Sequence, residues 1–147
     1  MTTESLNVSE TWEPHPEESV EVGDIFKRTI RQQADNVSGM ALAPASDEAP
    51  DGLRVYLENP TVQDDTERGK FTGERIDTLS YAIQQSGSYT LPELRYQWWN
   101  PKKRLLETTT LPAIHFKASA TPSQSTSPHL YGVAVILLAA GTALFCF

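Results

Sequence analysis

Residues 75–85 read RIDTLSYAIQQ, and the pattern of this stretch indicates the fold class. Leu79, Tyr81 and Ile83 alternate with polar or small residues, so the apolar side chains share one face of an extended chain. Such alternation predicts a half-buried β-strand. No segment of residues 5–117 keeps an apolar period of 3.6 residues, so no helix is expected there.

The neighbouring sequence repeats short strand patterns between turn-rich stretches, of which 43–51 and 59–70 are the longest. The predicted strands are 6–12, 25–33, 52–58, 75–85, 89–99 and 105–117. Strands without helices predict an all-β domain, an immunoglobulin-like antiparallel β-sandwich over residues 1–117. Because Cys146 is the single cysteine, burial of apolar side chains must hold the sheets together.

Residues 86–91, SGSYTL, place Tyr89 at the start of a late strand. In Greek-key sandwiches a tyrosine at this point often turns its hydroxyl onto the loop backbone and fixes the corner between sheets. The alternative is a tyrosine that simply favours a strand. Both interpretations stay open at this point.

The composition of the chain changes after residue 117. Residues 118–129 are rich in Ser, Thr and Pro and predict a flexible linker, and residues 130–147 carry no charge. A helix of that length spans roughly 27 Å, close to the ~30 Å hydrocarbon core, so one transmembrane helix is expected. The N-terminus lacks the pattern of a signal peptide, and no basic residue follows the apolar stretch. The chain is therefore either tail-anchored or the last part of a longer exported protein.

Charge and motif content argue against several function classes. The net charge of −7 makes nucleic acid an unfavourable partner. The three histidines are far apart in sequence, and no phosphate-binding loop or serine nucleophile motif is present. Asp64 and Asp65 are adjacent but lack the alternating acidic pattern of a calcium loop. We expect no catalytic residues, no metal and no cofactor.

Residues 96–104, YQWWNPKKR, contain the candidate interaction surface. Adjacent strand residues face opposite sides, and the longer apolar series includes Trp98, so Trp98 is expected in the core and Trp99 outside. Asn-Pro predicts a turn. Lys102, Lys103 and Arg104 then place a positive cluster beside Trp99 on an acidic domain. Shielding of Trp99 by a neighbouring loop is the alternative.

Four runs carry a resemblance to a known family: GDIFKRTI (23–30), DGLRVYLENP (51–60), GSYTLPELRYQWWNP (87–101) and LETTTLPA (106–113). In this order they resemble the BatD family, the "oxygen tolerance" proteins of bacterial envelopes. The likeness runs from about residue 6 to the apolar C-terminal segment. Two departures stand out: upstream domains and a signal peptide are missing, and Arg104 occupies the place of a common turn glycine.

The resemblance implies tandem immunoglobulin-like domains outside the cytoplasmic membrane, followed by a membrane helix. It also implies partners: von Willebrand factor A-domain membrane proteins and, indirectly, a MoxR-type AAA+ ATPase. The expected function is that of a membrane-anchored, non-enzymatic adaptor in a stress or aerotolerance system, with its β-domain on the periplasmic or extracytoplasmic side. The alternative is a membrane-tethered sandwich that binds a small ligand or carbohydrate through exposed aromatic residues.

Overall fold

The computed structural model describes residues 1–16 and 20–120. Regular structure within these ranges is β-strand, apart from a 3₁₀ turn at Gly39–Ala41. The strands are β1 (Leu6–Glu13), β2 (Val20–Glu21), β3 (Ile25–Asp35), β4 (Leu53–Leu57), β5 (Thr61–Glu67), β6 (Lys70–Ile83), β7 (Gly87–Leu91), β8 (Leu94–Asn100), β9 (Leu105–Leu111) and β10 (Ile114–Ser119). The all-β prediction is confirmed. The predicted membrane helix at 130–147 lies outside the described residues.

The first sheet is built around β6. It has the order β1-β3-β6-β4, with β5 also paired to β6, and every pairing in it is antiparallel. Leu79, Tyr81 and Ile83 of β6 are all buried, so the alternation in the sequence correctly identified the inner face. The strand begins at Lys70 and is therefore longer than predicted.

The second layer contains a long hairpin interrupted at its middle. The sequence predicted two continuous strands here, which was wrong, because each is split into two: β7 and β8, then β9 and β10. Leu91 pairs with Ile114 and Leu94 with Leu111, so the register is unchanged across the break. Prolines 92 and 112 fall in the break, and a proline has no N–H to give to a ladder. β2 runs parallel to β10 on its far side.

The apolar core lies between these layers, which makes the fold β-sandwich-like. Phe26 of the first sheet stacks on Tyr81 at 5.2 Å between ring centroids. Phe26 also meets Phe116 of β10 edge to face at 5.3 Å. A second cluster near the other end joins Trp98 to Leu6 and other buried residues. Residues from both layers therefore bury one another, as expected for a domain without a disulfide between sheets.

β5 was predicted as loop, and this prediction was wrong. Its sequence, TVQDDTE, is polar because the strand lies at the edge of the sheet and exposes most of its side chains. The turn from β5 to β6 places Arg68 at φ 52° and Gly69 at φ 82°. Two consecutive positive φ angles are typical of a type I′ hairpin turn, which favours this pairing.

Tyr89 forms the corner that one of the two interpretations predicted. Its hydroxyl donates to the carbonyl oxygen of Gln85 at 2.6 Å. The same hydroxyl lies against Gly52, where a Cβ atom would come within 2.4 Å of it. Gly52 also has a φ of +94°, a conformation that favours glycine. The corner thus fixes the start of β7 against the loop that leads into β4.

Candidate functional site

The candidate surface lies at the turn between β8 and β9, and Asn100 organises this turn. Asn100 is only 2% exposed. Its Oδ1 accepts hydrogen bonds from the backbone N–H groups of Lys102 (3.0 Å) and Lys103 (3.1 Å). Its Nδ2 donates to the Glu4 carbonyl oxygen and to the Glu107 carboxylate. One buried amide therefore holds the turn, the N-terminal segment and β9 in place.

Arg104 closes the turn in the left-handed region, at φ 54°. The resemblance to the BatD family implies a turn glycine about where Arg104 stands. The turn forms nevertheless, because the Asn100 side chain satisfies its backbone. A non-glycine residue in this region carries a strain of about 1–2 kcal/mol.

The two neighbouring tryptophans face opposite sides, as predicted. Trp98 is 8% exposed and belongs to the second core cluster, whereas Trp99 is 43% exposed. No neighbouring loop buries Trp99 in the described part of the chain, so the shielding alternative is wrong. Trp99 is therefore a large aromatic side chain that a ligand or partner can reach.

Leu106 extends the apolar part of the surface and was missed by the sequence analysis. It pairs directly across from Trp99 and is 58% exposed. Paired residues of neighbouring antiparallel strands lie on the same face, so the two side chains form one apolar patch. Leu105 and Met1 are also exposed near this end of the hairpin. We call Trp99, Lys102, Lys103, Arg104 and Leu106 the tip surface.

Two of the three cations of the tip surface have carboxylate partners. Lys102 Nζ lies 2.6 Å from Glu4, whose hydrogen bond raises the pKa of the lysine. Lys103 contacts Glu107, and hydrogen bonds from Lys103 and Asn100 hold the pKa of that carboxyl below its usual value. These pairs are solvent-exposed, so water and salt screen them. A partner's carboxylates could therefore compete for both lysines.

Arg104 differs from the two lysines. Its side chain has no ion-pair partner in residues 1–16 and 20–120. It stays at the exposed end of the turn and offers a planar guanidinium group, which matches a carboxylate in two-point geometry. Of the three cations, Arg104 is the one that needs no rearrangement before it meets an anion.

The N-terminal segment runs along the other side of β8. Thr2 forms a parallel bridge with Trp99. The Trp99 N–H donates to the Met1 carbonyl oxygen at 3.0 Å, and the Thr3 N–H donates to the Trp99 carbonyl oxygen at 3.1 Å. The backbone of Trp99 is thus fixed while its side chain stays exposed.

The tip surface lies far from the last described residues. Asn100 pairs with Leu105 at one end of the hairpin, and Gly87 pairs with Ala118 at the other. At about 3.3 Å per residue, the chain from Leu105 to Ser119 spans roughly 45 Å. The end of the domain from which the predicted linker departs is therefore opposite the tip surface.

Several other candidate groups lie outside the tip surface. His115 is exposed, since it alternates along β10 with the buried Ile114 and Phe116, and its Nδ1 lies 2.9 Å from the Thr90 hydroxyl. No group of three potential metal ligands occurs in the described ranges. Asp64 accepts hydrogen bonds from Ser38 and the Gly39 N–H. Nor does the described part contain a helix long and apolar enough to cross a membrane.

A groove of about 650 Å³ lies on the outer face of β3, β5 and β6, away from the tip surface. Its lining consists of amide, hydroxyl and charged side chains. The lining residues are Arg31, Gln33, Gln63, Asp65, Glu67, Arg68, Lys70, Thr72 and Glu74. The groove contains no aromatic ring for a ligand to stack on.

Searches of protein-family models, curated proteins and solved structures found no match to this chain. The resemblance to the BatD family therefore rests on the four sequence motifs alone.

Proposed function

We propose that this chain is a non-enzymatic, membrane-anchored adaptor whose immunoglobulin-like β-sandwich binds another envelope protein through the tip surface. One observation carries this proposal: an exposed Trp99–Leu106 pair lies beside three cations at the end of the domain opposite Ser119. Exposed tryptophan and arginine are the residue types that most often dominate binding energy in protein interfaces. An anchor at residues 130–147 would direct the tip surface away from the membrane.

The cellular setting of the proposal follows from the resemblance. It places the chain in the bacterial cytoplasmic membrane, with the β-domain on the periplasmic or extracytoplasmic side, in a BatD-type stress or aerotolerance system. The partner to be tested first is a membrane protein with a von Willebrand factor A domain, which would link the adaptor indirectly to a MoxR-type ATPase.

Co-purification from detergent-solubilised membranes tests this function. Three baits are compared: the wild-type chain, Trp99→Ala and Tyr56→Ala. Tyr56 is a matched control, because it is also an exposed aromatic (52%) but belongs to β4 in the other sheet. We expect a von Willebrand-type protein to be enriched by the wild type and Tyr56→Ala, and lost with Trp99→Ala.

Two results contradict the adaptor proposal. The first is no enrichment of a von Willebrand-type protein over a control that carries only residues 130–147. The second is retention of that protein by Trp99→Ala.

The alternative function is binding of a small ligand or carbohydrate. The polar groove favours this alternative, since its amide and carboxylate side chains suit a polyhydroxylated ligand. Trp99 does not line this groove, so the two functions use different surfaces. Binding on a glycan array that is lost with Gln63→Ala but kept with Trp99→Ala would support the alternative.

A further inference from the structure

We propose that the outer edge of β8, at residues 95–97, adds an extended acidic peptide segment as a further strand. The inference rests on the proposed function, because it states how the partner of the tip surface would be held. The proposed occupant of the β8 edge is a protein segment in extended conformation, with carboxylates and at least one apolar side chain.

The direction of the Trp99 backbone identifies the edge. Both main-chain groups of Trp99 bond to the N-terminal segment, so they point away from β9. Backbone groups along a strand repeat their direction every second residue, and those of Gln97 and Arg95 therefore point the same way. In the described ranges no main-chain group pairs with them on that side. Unpaired donors and acceptors in a row are a template for another strand.

The N-terminal segment already shows that this edge accepts a strand. Thr2 lies beside Trp99 in parallel orientation, with one hydrogen bond on each side of it. A bound segment alongside Gln97 and Arg95 would continue the same ladder. Both of these side chains are exposed, so water reaches the edge that a peptide would cover.

The surroundings limit where a strand can be added. Ser46 and Glu48 line the same small cavity of about 190 Å³ as residues 91–94, so the N-terminal part of β8 has chain next to it. β9, the other strand of the hairpin, lies close to β1. The open stretch is therefore the part of β8 that leads up to Trp99.

The charge around this edge favours an acidic segment. Four cations lie on or beside it, and three carboxylates each pair with one of them. The pairs are Arg95–Glu93, Lys102–Glu4 and Lys103–Glu107, and Arg104 is the cation that has no ion-pair partner in the described residues. This local excess of positive charge belongs to a chain whose net charge is −7. A partner's carboxylates would find their attraction here rather than elsewhere on an acidic domain.

The shape of the tip favours a peptide over a lipid surface. Pro101, Lys102, Lys103 and Arg104 form the apex of the turn, while Trp99 and the residue opposite it lie behind the apex on one face. Insertion into a membrane interface needs apolar side chains at the leading point. Lipid would also leave the edge of β8 unused, whereas an extended peptide satisfies its main-chain groups and places alternate side chains over Trp99.

A pair of proline variants tests strand addition on the full chain. Gln97→Pro removes an outward N–H from β8 without removing a bond to β9, and edge positions tolerate proline. Thr108→Pro is the matched control, because Thr108 pairs with Gln97 and its N–H points outward from β9. The probe is a short peptide of alternating Glu and Val, compared with one of alternating Lys and Val, and backbone amide NMR is the readout.

We expect the Glu–Val peptide to bind, to slow amide exchange at Gln97 and to shift the Trp99 resonances. Gln97→Pro should weaken the affinity at least about tenfold, through the lost hydrogen bond and the proline ring, and Thr108→Pro should leave it unchanged. Equal binding of the Lys–Val peptide, an equal loss with Thr108→Pro, or binding to anionic lipid vesicles in place of the Glu–Val peptide would overturn the inference.

The same variants separate this inference from the proposed function. If Trp99→Ala loses the envelope partner and Gln97→Pro keeps it, strand addition is wrong while the adaptor function stands. If both variants keep the partner, the adaptor function through this surface is wrong as well.

Discussion

Replacing each of the two neighbouring tryptophans by alanine should give opposite results. Trp98 is 8% exposed and packs in the second core cluster, with Leu6, Ala34 and Leu42. A buried tryptophan removes about 150–250 Å² from water, which at about 25 cal/mol per Å² gives an upper bound of about 4–6 kcal/mol. Measured losses for such truncations are about 3–5 kcal/mol, and we expect Trp98→Ala to fall there.

Trp99→Ala removes an exposed ring and its contact with Leu106. A cross-strand pair of this kind contributes about 0.2–1 kcal/mol, so the free energy of unfolding should fall by no more than that. Backbone hydrogen bonds to Met1 and Thr3 do not depend on the side chain and should remain.

Urea unfolding of both variants, followed by circular dichroism, measures the difference. For a domain of this size, about 3–5 kcal/mol corresponds to a fall in melting temperature of roughly 12–20 °C. The assignment of the two faces is refuted if the variants lose similar stability, or if Trp99→Ala loses more.

Three further predictions concern the corner and the turn. Gly52→Ala should destabilise the domain by more than about 2 kcal/mol, because the new Cβ meets the Tyr89 hydroxyl. Gly69 is also at positive φ but faces open space, so Gly69→Ala should lose only the roughly 1 kcal/mol of backbone strain. Equal losses of the two variants in urea unfolding would contradict the role of the corner. Arg104→Gly should stabilise the turn by about 0.5–1 kcal/mol in thermal unfolding by relieving a left-handed arginine, and a loss of stability would refute this. Hydrogen bonds from Lys103 and Asn100 lower the pKa of Glu107 from its ordinary 4.5. The stabilisation that Glu107 gives is therefore present above pH 4.5 and is lost as the pH falls through the folded-state pKa. Glu107→Gln should reduce the loss of stability at acidic pH, and an unchanged acid dependence of the free energy of unfolding would contradict this.

Local patterns in the sequence predicted several features correctly. The alternation in β6 identified the buried face, and strand parity assigned Trp98 to the core and Trp99 to solvent. These successes share a cause: side-chain direction along a strand follows from the chain alone. The Tyr89 corner could only be offered as one of two interpretations, since its hydrogen bond depends on where the Gln85 carbonyl lies.

Features that depend on pairing could not be predicted. Leu106 joins Trp99 only through the register of β8 with β9. β5 is too polar to be recognised as a strand until β6 is known to lie beside it. The break between β9 and β10 is different, because Pro112 marks it in the sequence and the prediction of one continuous strand overlooked that proline.

The motifs behind the family resemblance have structural roles in this fold. Gly52 makes room for the Tyr89 hydroxyl, and Asn100 holds the turn after the two tryptophans. Such residues favour a particular strand arrangement and say little about what the domain binds. The functional proposal depends instead on the exposed residues of the tip surface.

Photo-crosslinking at position 99 in native membranes tests the central claim most directly. A photoreactive aromatic amino acid, which keeps a ring at the site, replaces Trp99 in one full-length chain and Tyr56 in another, since both side chains are exposed but on different sheets. We predict a discrete crosslink to one envelope protein from position 99, absent from position 56. No protein crosslink from position 99, or the same products from both positions, would contradict the account.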